Sequence, residues 1–201
     1  GGELSFGYIR VDSEITVTLY VDSNGNGIQD KGEPGIPDHE TQIDGVVYIT
    51  DATGQVVIEV QSGKTFKVAA PTETTSGLPL SGDEEREVES GEQVSFGYIP
   101  PVPVTLYEDI NQNEKQDDDE PGLFGVTITI GITDYTTDVN GQISVPVPAG
   151  ESVDVPVPSA IPGKTLVLFS PKSPQSIQVG GELSFGYIRV DSEITVTLYV
   201  D

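Results

Sequence analysis

Along most of the chain, β-branched and aromatic residues alternate with polar ones at a period of two. The runs ITVTLYV (15–21), VVYIT (46–50), QVVIEV (55–60), KTFKVAA (64–70), VTITIGI (126–132), QISVPV (142–147) and TLVLFS (165–170) either alternate or cluster such residues, which predicts half-buried strands. Glycine, proline, asparagine and aspartate fill the intervals, and no amphipathic stretch of 3.6-residue period and useful length appears. VPVP at 145–148 and again at 155–158 suits edge strands and turns and opposes helices. The pattern predicts an all-β chain of two tandem antiparallel β-sandwiches, Ig-like in architecture.

Repetition sets the scale of those units. Residues 1–22 recur without a change at 180–201, an offset of 180 − 1 = 179. Inside that period SFGYI at 5–9 returns at 95–99 and 184–188, spacings of 90 and 89 residues, each the size of a small domain. TVTLYVDSNGNGIQDKGEPGIP (16–37) aligns with PVTLYEDINQNEKQDDDEPGLF (103–124), and TDATGQVVIEV (50–60) with TDVNGQISVPV (137–147). The two halves are diverged relatives.

The chemistry sits in the aligned loops. In DSNGNGIQDKGE (22–33), oxygen-bearing side chains fall at loop positions one, three, five, nine and twelve: Asp22, Asn24, Asn26, Asp30 and Glu33. Gly27 at position six permits a sharp turn, and the Ile28 carbonyl stands at position seven. A hard cation such as Ca2+ takes six to eight oxygens at about 2.3–2.6 Å, and this spacing wraps them round one point. The second loop, DINQNEKQDDDE (109–120), offers Asp109, Asn111, Asn113, Asp117 and Glu120, with the Lys115 carbonyl at position seven. It has Glu114 where the first loop has glycine, and a left-handed turn there costs about 1 kcal/mol. Both loops run into Glu-Pro-Gly, at 33–35 and 120–122, so strands and not movable helices flank them. Asp201 repeats Asp22 and opens a third loop.

Composition narrows the function classes. Nine Lys and Arg against 33 Asp and Glu give a net charge of −24, which excludes nucleic acid and anionic membrane as natural partners and favours cations. With no cysteine and one histidine, disulfides, thiolate catalysis and Cys- or His-pair zinc sites are absent. His39, between a Gly/Pro turn and a strand-like run, reads as an ordinary loop histidine. No apolar run approaches a membrane span. Nothing singles out a catalytic pair among the many carboxylates, and the chain reads as a non-enzyme. Phe6, Tyr8, Tyr20, Phe96, Tyr98 and Tyr107 recur at the repeat spacing and read as packing residues.

A strand ending in Asp, the DxNxNGxxDxxExG loop, a later TDxxGQ turn and a closing FGY strand together resemble the B-type repeats of serine-aspartate repeat surface adhesins, relatives of the collagen-adhesin B-type, prealbumin-like β-sandwiches. The resemblance covers nearly the whole chain twice. It implies that SFGYI closes a domain, so that residues 1–10 are the last strand of a preceding repeat, 11–100 and 101–189 are two calcium-binding sandwiches, and 190–201 opens the next. Asp51 and Asp138, in the TDxxG turns, have two readings: caps of a tight turn, or ligands of a further calcium ion. No lysine in an early strand faces a late-strand asparagine, so no internal isopeptide bond is predicted. The resemblance implies a calcium-stiffened stalk or fibre of an extracellular or cell-surface adhesin, with neighbouring repeats or further copies of the chain as partners. The alternative is a calcium-dependent carbohydrate- or protein-binding module, which the absence of tryptophan disfavours.

Overall fold

A computed structural model describes residues 12–190. The predicted strands at both chain ends, with Phe6, Tyr8 and Asp201, lie outside the described residues. Among the described residues every regular element is a strand, and no helix is long and apolar enough to cross a membrane. The fold class is therefore all-β, and the chain divides into two compact units, passing from the first to the second between Pro100 and Pro101.

The first unit contains β1 (Asp12–Val21), β2 (Glu40–Ile43), β3 (Val46–Ile49), β4 (Gln55–Gln61), β5 (Thr65–Ala69), β6 (Leu80–Ser81), β7 (Glu85–Glu89) and β8 (Gln93–Tyr98). They form two four-stranded sheets in the orders β4-β1-β8-β6 and β3-β2-β5-β7. Ile15, Val17, Leu19, Val56 and Phe96 of one sheet close a core with Ile43, Val68 and Val88 of the other. The alternation of β1 accounts for its share of that core: Ile15, Val17 and Leu19 are fully buried because successive side chains point to opposite faces.

Two features depart from a purely antiparallel sandwich. β1 and β8, the first and last strands of the unit, pair in parallel with Leu19 opposite Phe96. No short hairpin can join parallel neighbours, and here the rest of the unit is the crossover. EREVE (85–89), with one apolar residue, forms β7 because Arg86 turns inward, its guanidinium 4.9 Å from the centre of the Phe96 ring and bonded to Ser95 O at 2.9 Å.

The second unit contains β9 (Val102–Glu108), β10 (Thr127–Ile130), β11 (Thr133–Thr136), β12 (Gln142–Val145), β13 (Val153–Val155), β14 (Leu166–Ser170), β15 (Gln175–Ile177) and β16 (Leu183–Arg189). Its sheet β12-β9-β16-β14 repeats the first unit's order, and β9 pairs β16 in parallel. The opposing layer is split into two ribbons, β10-β11 and β13-β15. Proline explains the split. Tyr98 donates its hydroxyl to Pro71 O at 2.9 Å and Tyr187 to Pro158 O at 2.8 Å, so Pro158 matches Pro71 and Pro156 matches Ala69. Ala70 bonds toward the β7 side through Glu84 O, which turns the N–H of Ala69 to β2. Pro156 has no N–H to offer there, and the ladder to β10 does not form.

His39 lies in a loop, as its surroundings predict, but the loop is turned inward. It is 5% exposed, its ring lies edge-on to Tyr98 at 6.0 Å, and its Nε2 has no hydrogen-bond partner. Thr50 explains the inward placement: its hydroxyl accepts the His39 N–H at 2.9 Å and donates to Ile36 O at 2.7 Å, drawing the segment onto the core. Thr137 does the same in the second unit, accepting the Val126 N–H at 2.9 Å and donating to Leu123 O. Val126 is thus the counterpart of His39.

Candidate metal centre at two equivalent loops

Each loop grows from the end of its unit's first strand and returns alongside it. Asp22 follows β1, and its N–H is held by Tyr98 O of the last strand at 2.8 Å. Past the loop, Pro34 O accepts from Val21 N at 2.9 Å and Ile36 N donates to Leu19 O at 2.8 Å, so residues 34–36 run antiparallel to the strand they left. Two glycines make this return possible. A β carbon on Gly35 would lie 1.8 Å from Thr53 O, and one on Gly54 would lie 2.5 Å from Leu19 O. The Glu-Pro-Gly turn and the TDxxG turn therefore press backbone against backbone.

Inside the first loop one hydrogen-bond network takes in all five predicted side chains. Asp22, wholly buried, accepts Asn26 N at 3.1 Å and Gly27 N at 2.8 Å on its two oxygens. Asn24 Oδ1 accepts Asn26 N at 3.0 Å, and Asn26 Oδ1 accepts Ile28 N at 2.8 Å. Both asparagine amides donate to Asp30 Oδ2 at 2.8 Å; the Asn24 amide, followed by that of Asn26, holds the Asp30 carboxyl below its ordinary value. Glu33 closes the ring, taking Ser23 N at 2.8 Å on one oxygen and Asp30 N at 2.9 Å on the other. The Ile28 side chain is exposed, which leaves only its backbone to serve the loop.

The second loop repeats every bond of this network and adds one, from Asn111 N to Glu120 Oε1 at 3.2 Å. Asp109 accepts Asn113 N at 3.1 Å and Glu114 N at 3.0 Å, and the amides of Asn111 and Asn113 both donate to Asp117 Oδ2 at 2.7 Å. Asn111 Oδ1 accepts Asn113 N at 3.0 Å and Asn113 Oδ1 accepts Lys115 N at 2.8 Å. Glu120, 5% exposed, accepts Ile110 N at 2.7 Å and Asp117 N at 3.2 Å. Gly122 and Gly141 take the roles of Gly35 and Gly54, their β carbons falling 1.9 Å from Asn140 O and 2.2 Å from Leu106 O.

Backbone conformation separates the loops. In the first, Gly25 and Gly27 have φ of 70° and 76°; in the second, Gln112 and Glu114 have φ of 60° and 65°. The expected strain at Glu114 is present and the loop turns the same way despite it. The strain at Gln112 has no warning in the spacing of ligands, because position four carries none.

Beneath each loop lies a buried tyrosine on the sheet's outer face. Tyr20 is fully buried, its hydroxyl has no partner, and it lies over Gly97, where a β carbon would sit 2.9 Å from Tyr20 Oη and from Asp22 Cβ. Burial first, and then the Asp22 and Glu33 carboxylates, push its phenol up to about 12. Tyr107 lies likewise over Gly186, pushed up to about 12 by burial and then by Asp109 and Glu120.

Among the described residues no three Asp, Glu or His side chains gather at metal-holding distance; amides interleave the carboxylates, and hydrogen bonds set the spacing. The donor set fits a hard cation all the same. Three carboxylates and two asparagine oxygens stand at the ligand positions of each loop, and both asparagine amides already turn their positive ends onto the Asp at position nine. Asp51 and Asp138 serve their own turns: Asp51 Oδ1 accepts Thr53 N, Thr53 Oγ1 and Gln55 N at 2.7–3.0 Å, and Asp138 Oδ1 accepts Asn140 N and Gln142 N at 2.9 and 2.8 Å.

No protein-family model matches the chain. Over 49 residues, 23% of this chain, it is 47% identical to Colossin-A of Dictyostelium discoideum, a stretch that rounds to 0% of that protein's own length. Among solved structures it is similar to the shaft pilin SpaA of Lactobacillus rhamnosus GG, at 9% identity over 92% of this chain and 100% of the pilin, with a TM-score of 0.37. The minor pilin of Streptococcus agalactiae is 12% identical over 92% of this chain and 100% of its own, with a TM-score of 0.36. Neither pilin supplies a functional residue for this chain at these scores.

Proposed function

We propose that the chain is a calcium-stiffened structural repeat of a long extracellular or cell-surface adhesin or filament, related to the B-type repeats it resembles and working beside neighbouring repeats or further copies of itself. One observation carries the proposal. Two loops of different sequence hold the same five oxygen-bearing side chains in the same hydrogen-bond network, each rooted in the first strand of a sandwich and tied to the last.

What the residues do follows from that placement. Asp22 and Asp109 are anchored by the backbone of the last strand, and Glu33 and Glu120 stand where the chain turns back along the first strand. Drawing position one toward position twelve therefore fastens the strand's exit to its return. Bound Ca2+ would supply the positive charge that lets three carboxylates share one loop. Binding to the folded state alone stabilises it by RT ln(1 + [L]/Kd), about 2.7 kcal/mol per site at a hundredfold excess over Kd, which for a unit of this size raises Tm by roughly 10 °C or more. Differential scanning calorimetry of the chain in calcium and in EDTA checks this: a fall of that size on chelation is expected, and unchanged melting rejects the proposal.

A further inference from the structure

We infer that the two loops form unequal calcium sites, with Gln112 and Glu114 setting the second loop's affinity below the first, so that falling calcium releases the second unit while the first stays clamped. This rests on the calcium reading above and adds an order to it. Every bond of the first network recurs in the second, so ligand type does not distinguish the sites; the second adds one bond, Asn111 N to Glu120 at 3.2 Å, and buries Glu120 where Glu33 is half-buried. What weakens the second site is the pair of residues that must hold its left-handed backbone. Positions four and six are left-handed in both loops, filled by Gly25 and Gly27 in one and by Gln112 and Glu114 in the other. Position six is central to the cage, because its N–H binds the second oxygen of the first aspartate, 2.8 Å from Gly27 and 3.0 Å from Glu114. Space is not the reason for glycine, since a β carbon on Gly27 would meet nothing within 4 Å; the same left-handed φ is free for Gly27 and strained for Glu114.

A loop that must hold two side-chain-bearing residues left-handed relaxes when nothing draws its carboxylates together, and calcium must then restore the strained form on binding. Extra charge acts the other way: Glu114, Asp118 and Asp119 add attraction to the second loop. All three are exposed, so their attraction acts through water and weakens as salt rises, whereas backbone strain at two positions does not depend on salt. The gap between the sites therefore widens at high ionic strength and narrows as salt is lowered.

Isothermal titration of the full chain with calcium chloride at physiological salt tests the inference, alongside E33Q, E120Q and Q112G/E114G, with circular dichroism confirming that each is folded. Two classes of site are expected: E33Q removes the tighter, E120Q removes the weaker, and Q112G/E114G tightens the weaker by roughly tenfold or more. Should either Glu variant fail to fold, N24A and N111A take its place. A single class, loss of the weaker class in E33Q, or an unmoved affinity in Q112G/E114G overturns the inference while leaving calcium binding intact. No heat of binding in the unmodified chain defeats the calcium reading itself.

Discussion

The first and second units reach one arrangement through different residues, and the differences separate what the fold requires from what it tolerates. Both keep Gly35 or Gly122 and Gly54 or Gly141, where a side chain would strike backbone. Both keep the threonine that draws the pre-β2 or pre-β10 segment inward. They part at His39 and Val126, at Ala69 and Pro156, and at the two left-handed loop positions. The backbone contacts at the paired glycine turns are kept in both units, whereas the ladder between β2 and β5 has no counterpart between β10 and β13; side-chain identity varies where the backbone path survives the change.

The comparison breaks most visibly at the paired turns. Gly35→Ala and Gly122→Ala each force a methyl to within 2 Å of a carbonyl and are expected to cost about 3 kcal/mol or more. Each is expected to unfold its own unit and to have a similar effect in denaturant titration. A mild effect in either unit would show that the turns separate at little cost.

Alkaline pH should affect both units alike. Burial pushes the phenols of Tyr98 and Tyr187 well above their ordinary value, and each donates to a proline carbonyl. A folded-state value above the unfolded one, near 10, gives a stabilisation fully present below pH 10 and lost as pH rises through the folded value. Melting followed from neutral pH upward should fall beyond pH 10, and less steeply in Tyr98→Phe and Tyr187→Phe; identical slopes with and without the phenols contradict this.

His39 offers a smaller effect and a sharper contrast. Its buried Nε2 lacks a partner where the second unit has Val126, so His39→Val is expected to stabilise the first unit by about 1 kcal/mol. Val126→His should destabilise the second unit by at least as much. Thermal melts of the two exchanges decide the matter, and a destabilised His39→Val would assign the imidazole a role in packing on Tyr98.

How far these features were legible depends on the distance over which each is encoded. Period-two runs marked the long strands, and side-chain spacing marked Asp22, Asn24, Asn26, Asp30 and Glu33 and their counterparts, because both signals are local. The parallel pairing of β1 with β8 joins residues about 77 positions apart, as Leu19 and Phe96 show, and leaves no trace in either strand. β7 was hidden because Arg86 takes an inward position an apolar residue would normally hold. The split layer of the second unit depends on Pro156 standing where Ala69 does, an equivalence set by tyrosine bonds to Pro71 and Pro158 that join residues 27 and 29 positions apart. The burial of His39 depends on Thr50, eleven residues away in sequence, and the strain at Gln112 depends on a turn whose shape the ligand spacing does not reveal.

Heteronuclear NMR of the full chain during calcium addition tests the central claim at the residues that carry it. The largest amide shifts are expected at Asn26 and Gly27 and at Asn113 and Glu114, whose N–H groups bind the first aspartate of each loop, with the first pair saturating at lower calcium. Saturating calcium that leaves residues 22–33 and 109–120 unmoved, or that moves residues elsewhere instead, would contradict it.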